Sequence, residues 1–213
     1  METTGSFEDY IKLQLSGSDW SYGSRWGDQM ESAIRDIFSR KNPNDRENLS
    51  VIDIGCGEGR GLHALHSIGY RKLYGIDISD EKIQKAKQTS DKCITYIVGD
   101  FHDTYSLCSK FNERFEYGFC SHTLEHSKDF TKAIISITSV INRILYFIVP
   151  VGETEDEVAK YNPSHTCPFL DINDVEKRLI HAGIKDYSLM SKGPTDGRLG
   201  NEVWGIIWCS NLS

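Results

Sequence analysis

An α/β fold, built on a mostly parallel sheet that ends in an antiparallel pair, is expected from three features of the chain. Continuous apolar runs alternate with amphipathic helical stripes through the middle of the sequence. A glycine-rich turn joins the first run to the first of those stripes, and the last two runs follow each other with no helix between them. Strands of a parallel sheet are covered on both faces by crossover helices, so they read as unbroken apolar runs.

Two amphipathic helices open the chain. The first carries Phe7, Tyr10, Ile11 and Leu15; the second carries Met30, Ala33, Ile34, Ile37 and Phe38 at helical spacing and stops before Pro43. Residues 1–44 therefore read as a helical cap, and 45–213 as the core of one domain. The polar stretch KNPNDREN leads into a strand over Leu49–Ile54, followed by strands over Leu73–Ile76, Ile94–Val98, Phe115–Cys120 and Ile144–Val149. Between them lie three stripes: Leu62, Leu65 and Ile68, closed by Gly69; Ile83 and Ala86; and Phe130, Ala133, Ile134, Ile137 and Ile141. A last helix on Ile172, Val175 and Leu179 ends at Gly183. The runs Ile184–Met190 and Glu202–Cys209 flank the turn-rich KGPTDGRLG, which predicts antiparallel pairing.

Composition narrows the function classes. With 213 residues, 38% of them hydrophobic, the chain can bury one sizeable core. No apolar run approaches the length of a membrane span, and METTGSFEDY lacks the basic-then-apolar order of a secretory signal. The six cysteines are scattered without a C-x-x-C pair, which fits reduced thiols in a cytoplasmic compartment. A net charge of −7 repels a phosphate backbone and argues against nucleic acid as a partner, a local basic groove excepted.

The glycine turn, VIDIGCGEGR, follows the first strand and opens a helix. There, glycines permit a tight turn and let a ligand approach the main chain, while the helix start offers unpaired N–H groups. Gly55, Gly57 and Gly59 are spaced G-x-G-x-G, with Arg60 where a dinucleotide fingerprint would carry its third glycine. Asp53, inside the strand, would repel a pyrophosphate but suits an ammonium group, so the loop fits an amino-acid moiety. Asp77 closes LYGID at the end of the second strand, where a carboxylate can accept both hydroxyls of a ribose. Asp100 closes IVGD, where it can accept from an adenine amine while Phe101 packs along the ring. Acidic residues also end strands and cap helices routinely, so each alone carries little. Together they line one crevice at the carboxyl edge of the sheet.

With these residues the chain resembles the class I S-adenosylmethionine-dependent methyltransferases, particularly their small-molecule branch, over roughly residues 45–209. The resemblance rests on VIDIGCGEGR, YGIDIS, VGDF, FEYGFCSHTLEHSKD and the closing hairpin. It implies a Rossmann-like sheet of seven strands with the last antiparallel, helices on both faces, and S-adenosylmethionine as cofactor. It further implies Asp53, Gly55 and Gly57 around the methionine part, Asp77 and Ile78 at the ribose, and Asp100 and Phe101 at the adenine. Ser121 and His122 would face the sulfonium and the acceptor.

Methyl transfer from a sulfonium needs alignment, and needs a base only where the acceptor must lose a proton. The segment His122-Thr-Leu-Glu-His126 and the distant His165 follow strands and can converge on the crevice. Three readings stand. One of His122, His126 and His165 is a general base. Or His122, Glu125, His126 and His165 bind a divalent metal, a pattern similar to the Glu-x-x-Glu-His plus distant histidine of small-RNA 2′-O-methyltransferases, with His122 replacing the leading glutamate. Or Leu-Glu-His is a structural corner and no metal is held. The expected activity is transfer to an oxygen or nitrogen of a small-molecule acceptor. The alternatives are metal-assisted transfer to an RNA terminus and a non-catalytic binding subunit of the same fold. CSHT is not the proline-proline-aromatic turn of N-directed nucleic-acid enzymes. Two further segments bear on the acceptor. DWSYGSRWGD either walls the pocket with Trp20, Tyr22, Trp26 and Arg25 or pins the opening helices, and the stretch containing ETEDE is a lid, a substrate loop or a solvated face.

Overall fold

The computed structural model describes residues 26–90, 92–109, 114–152, 154, 165–192 and 201–209, with side chains 26–30 and 32 set aside. The expected first helix, the DWSYGSRWGD side chains, the ETEDE run apart from Thr154 and the turn over 193–200 lie outside the described residues. In chain order the elements are α1 (Trp26–Ser39), β1 (Ser50–Ile54), α2 (Arg60–Ser67), β2 (Lys72–Asp77), α3 (Asp80–Thr89), β3 (Ile94–Val98), α4 (Thr104–Cys108), β4 (Phe115–Ser121), α5 (Phe130–Ser139), β5 (Ile141–Val151), α6 (Ile172–His181), β6 (Tyr187–Lys192) and β7 (Asn201–Trp208). No helix among the described residues is long and apolar enough to cross a membrane.

The strands form one sheet of seven in the order β3-β2-β1-β4-β5-β7-β6. β3 through β5 pair in parallel, and β7 runs antiparallel to both β5 and β6. One apolar cluster joins α1, α2 and α3 to one face through Ile34, Phe38, Leu62 and Ile83. A second joins α5 and α6 to the other through Ile134, Ile137, Val175 and Leu179. The sheet is thus covered on both sides, and this Rossmann-like architecture is the one the alternating runs predict. In α1 the stripe Ala33, Ile34, Ile37 and Phe38 is buried as its spacing requires. The Phe38 ring meets Tyr70, Tyr117 and Tyr146 edge-on, with centroids 5.6–5.9 Å apart.

Helix starts follow side-chain chemistry. Ser79, Asp129 and Asp171 accept from backbone N–H groups of the first turns of α3, α5 and α6. Several elements differ from the sequence pattern; β6, for one, begins at Tyr187, three residues after the start of the expected run. Ile141 belongs to β5, not to the end of the preceding helical stripe, because Val140 closes α5 and Ile141 pairs with Phe115 of β4. The short α4 has too few residues to show a period, and the pattern passed over it. The chain runs outward from β1 toward β3 on one side and from β4 toward β5 on the other, so the strand order reverses between β1 and β4. The crevice for a ligand forms outside the carboxyl ends of strands at such a reversal.

Candidate active site

The loop after β1 is left-handed at alternate residues, with φ of 76° at Gly55, 53° at Gly57 and 82° at Gly59. The three glycines serve different ends. A Cβ at Gly55 would stand 2.0 Å from Thr123 Oγ1, and one at Gly59 would stand 2.2 Å from the Tyr96 hydroxyl. Both positions are demanded by the protein's own packing. A Cβ at Gly57 would meet nothing within 4 Å, so here the bare backbone faces open space. The Gly57 N–H donates to Asp77 Oδ2 and the Ser79 N–H to Asp77 Oδ1, each at 2.8 Å. Asp77 at the end of β2 is thereby locked against the glycine loop, and each carboxylate oxygen has a further lone pair. Beside it, Ile78 is 70% exposed, a large apolar side chain presented at the crevice.

Asp53 is buried beneath the loop, where Gly61 makes room for it: a Cβ there would lie 2.9 Å from Asp53 Oδ2. Burial, and then repulsion from Asp77, pushes its carboxyl up to about 7. A bound ammonium group would relieve both effects. Asp100 caps the turn Phe101–Asp103, its Oδ1 accepting from the His102 backbone N–H at 2.9 Å and facing His102 Nδ1 at 2.5 Å. Despite partial burial, these bonds from His102 hold Asp100 below the usual carboxylate range. The other His102 nitrogen lies 2.8 Å from Ser127 Oγ, and the ring stacks on Phe101 at 4.5 Å. Asp100 and Phe101 thus stand together at the rim, both organised around His102.

At the end of β4 the backbone turns sharply. His122 has φ of 49°, the single non-glycine residue with positive φ among those described. Its Nδ1 lies 3.7 Å from Glu125 Oε1 and its Nε2 lies 3.4 Å from Glu202 Oε1. Glu202, on β7, also accepts from Trp204 Nε1 at 2.8 Å. Burial would raise the Glu202 carboxyl, but hydrogen bonds from His122 and Trp204 outweigh it and hold the group below its ordinary value. Burial has the opposite net result at Glu125, whose carboxyl is pushed up although His122, His126 and His165 draw it down. Ser121 Oγ and Glu125 Oε2 are buried oxygens with no hydrogen-bond partner among the described residues.

The segment that begins at His165 is fastened to this corner. The Cys167 N–H donates to the Glu125 carbonyl at 2.9 Å, and Thr166 Oγ1 donates to the carbonyls of His126 and Ser127 at 3.0 Å. These bonds bring His165 edge-on to His126, with ring centroids 4.9 Å apart. One ligand atom from each of Glu125, His126 and His165 falls within 4.8 Å of the others. Of the four residues in the metal pattern the structure gathers these three, while His122 spans Glu125 and Glu202. Sequence reasoning missed Glu202, Trp204, His102 and Thr123. A glutamate within an otherwise apolar last strand was the available signal for Glu202.

Comparison with known proteins agrees with this geometry. The methyltransferase domain profile matches residues 45–191. An uncharacterized protein of Methanocaldococcus jannaschii is 43% identical over 49 residues, which is 23% of this chain and spans only 22% of that relative's length. Magnesium protoporphyrin IX methyltransferase from Synechocystis PCC 6803, solved with bound SAH, superposes with a TM-score of 0.61 at 18% identity, covering 97% of this chain and 95% of that one. The plantazolicin methyltransferase BamL, in complex with a triazolic desmethylPZN analog and SAH, superposes at 0.65 with 13% identity, covering 98% and 92%. At such identities the likeness is one of fold. The chain belongs to the methyltransferase domain family, and it shares the fold of these S-adenosylhomocysteine-bound neighbours.

Proposed function

We propose that the chain transfers the methyl group of S-adenosylmethionine to an oxygen or nitrogen of a small-molecule acceptor. The observation that carries this reading is the pairing of an open backbone at Gly57 with the Asp77 carboxylate locked beside it. That pair suits a nucleoside joined to an amino acid. In this reading Asp53 faces the ammonium group, Gly55 and Gly57 line the methionine part, and Asp77 accepts from the ribose hydroxyls beside the apolar Ile78. The adenine amine donates to Asp100, with Phe101 at the ring. The cofactor supplies an activated methyl group. The residues at the end of β4 align the acceptor with it: Ser121 Oγ, buried without a partner among the described residues, offers a hydrogen bond. Alignment of this kind is worth about 7–11 kcal/mol in favourable cases. His122, His126 or His165 takes the proton where the acceptor must lose one. Residues 1–44 cap the core of one domain, a division supported by the family profile starting at residue 45 and by the packing of α1 against α2.

Isothermal titration with S-adenosylhomocysteine tests the cofactor site. Binding by the purified chain, weakened in Asp77→Asn, is expected; no heat of binding, or an Asp77→Asn variant identical to wild type, refutes it. A panel of small hydroxyl and amine acceptors, scored by S-adenosylhomocysteine release, tests the acceptor class.

A second reading is favoured by the Glu125, His126 and His165 cluster. The orphaned Glu125 Oε2 and two imidazoles make a donor set that fits a divalent transition metal, which would lower the pKa of an acceptor hydroxyl. Ligand atoms around such an ion stand about 3–3.5 Å apart, so these side chains would draw together on binding. An RNA terminus is the acceptor to test in that case. Full activity in metal-free protein rejects this reading. A non-catalytic binding subunit is disfavoured by the intact loop and ribose acid, and measured turnover excludes it.

A further inference from the structure

Two unfavourable features converge on one imidazole. The first is backbone strain: a non-glycine residue in the left-handed region is held at a conformational cost and persists only where its surroundings over-determine it. His122 is the described non-glycine residue that bears this cost, directly after Ser121 and with its N–H held by the Ile148 carbonyl at 2.9 Å. The second is a buried carboxylate. Glu202 lies on β7 among Val203, Trp204, Ile206 and Ile207, all buried, where an apolar side chain of similar volume would serve stability at least as well. Its position is nevertheless set with care. Oε2 is tethered to the Trp204 indole at 2.8 Å, which leaves Oε1 aimed at His122 Nε2, 3.4 Å away. Trp204 is held in turn under the Lys192 ammonium, 4.8 Å from the ring centroid. The chain of contacts runs from Lys192 through Trp204 and Glu202 to the imidazole at the strand end.

We infer that Glu202 is a positioning residue of the methyl-transfer site, holding the His122 ring through its Nε2 proton in the orientation that turns Nδ1 toward Glu125. This rests on the reading of the β4 end as the place where the acceptor meets the donor. A histidine's protonated nitrogen is set by the hydrogen bond that nitrogen makes, and residues that orient a functional imidazole act through it without touching the reacting atoms. Glu202 fits that role. It faces the ring from β7, in the closing hairpin.

Long-range proton–nitrogen NMR of the full chain at about pH 8 tests this, with His122→Asn assigning the ring among the seven histidines. A slowly exchanging proton on Nε2 of His122 is expected in wild type. In Glu202→Leu that proton is lost and moves to Nδ1, because Glu125 then faces the ring as the remaining carboxylate. Glu202→Gln is nearly isosteric and keeps an acceptor without the charge; its Nε2 proton is retained but exchanges about fivefold faster, as a neutral acceptor replaces a charged one. An unprotonated Nε2 in wild type, or unchanged proton placement in Glu202→Leu, overturns the inference; if that variant does not fold, unchanged exchange in Glu202→Gln does so. The S-adenosylhomocysteine affinity of Glu202→Leu is expected to stay within about threefold of wild type, and a larger loss would make Glu202 part of the cofactor site and overturn the assignment. Failure of wild type to bind S-adenosylhomocysteine would refute the cofactor reading alone, because the histidine signals are read without ligand.

Discussion

With Asp53 facing the cofactor's ammonium group as proposed, binding is expected to depend on pH, and the size of the effect follows from its environment. Its carboxyl is pushed up to about 7, first by burial and second by Asp77, from an ordinary value of 3.8. If the ammonium of the cofactor binds only the ionised form, the apparent dissociation constant is multiplied by 1 + 10^(7 − pH). Between about pH 6 and 7.5 the ionised fraction rises from about 9% to about 76%, so affinity should rise about eightfold. The window ends there because the ligand's own amino group begins to lose its proton near pH 8. Calorimetric titration with S-adenosylhomocysteine, in buffers of different ionisation heat, reads both the affinity and the protons released. Asp53→Asn removes the titrating group and should bind weakly with a flat pH profile. Stability supplies a second reading of the same carboxylate. A raised carboxyl binds its proton more tightly in the folded chain, so it destabilises increasingly as pH rises from near 4 to about 7, then levels off. The stability advantage of Asp53→Asn should therefore grow by about 3 kcal/mol between pH 5 and 8. A wild-type affinity independent of pH, or an equal slope in Asp53→Asn, would refute the assignment.

Other substitutions separate the fold from the site. Gly57→Ala should fold with only about 1 kcal/mol of left-handed strain yet lose at least about tenfold in S-adenosylhomocysteine affinity, since its methyl group enters the open space in which the methionine part is proposed to lie. Gly55→Ala should lower the melting temperature far more, because its Cβ would overlap Thr123 Oγ1; equal melting of the two variants would contradict the division of roles. Phe38→Ala should cost about 3–5 kcal/mol in denaturant unfolding, for the ring is fully buried and meets three tyrosines. Glu125→Gln, measured with chelator present, should be at least as stable as wild type at pH 8, with the difference shrinking toward pH 5. Its carboxyl is raised by burial, so ionisation costs stability above the ordinary carboxylate range. A large loss of stability in that variant would show that the charge itself is needed there.

The sequence alone determined the α/β architecture, the approximate strand positions and the acids at the carboxyl ends of β2 and β3. These are local properties: a strand buried on both faces is continuously apolar, a helix repeats every 3.6 residues, and a left-handed turn demands glycine. Asp77 and Asp100 were legible for the same reason, since the last residue of a strand, or one just beyond it, reaches the sheet edge wherever the strand lies. Pairing order and convergence were decided by the tertiary structure. Nothing local tells β7 to insert between β5 and β6, yet that register carries Glu202 to His122, 80 positions earlier in the chain. The bonds of Thr166 and Cys167 likewise bring His165 to His126, and only packing against Thr123 and Tyr96 distinguishes Gly55 and Gly59 from the open Gly57. Periodicity encodes which face of an element is buried. What lies against that face is set by the joint packing of the whole sheet.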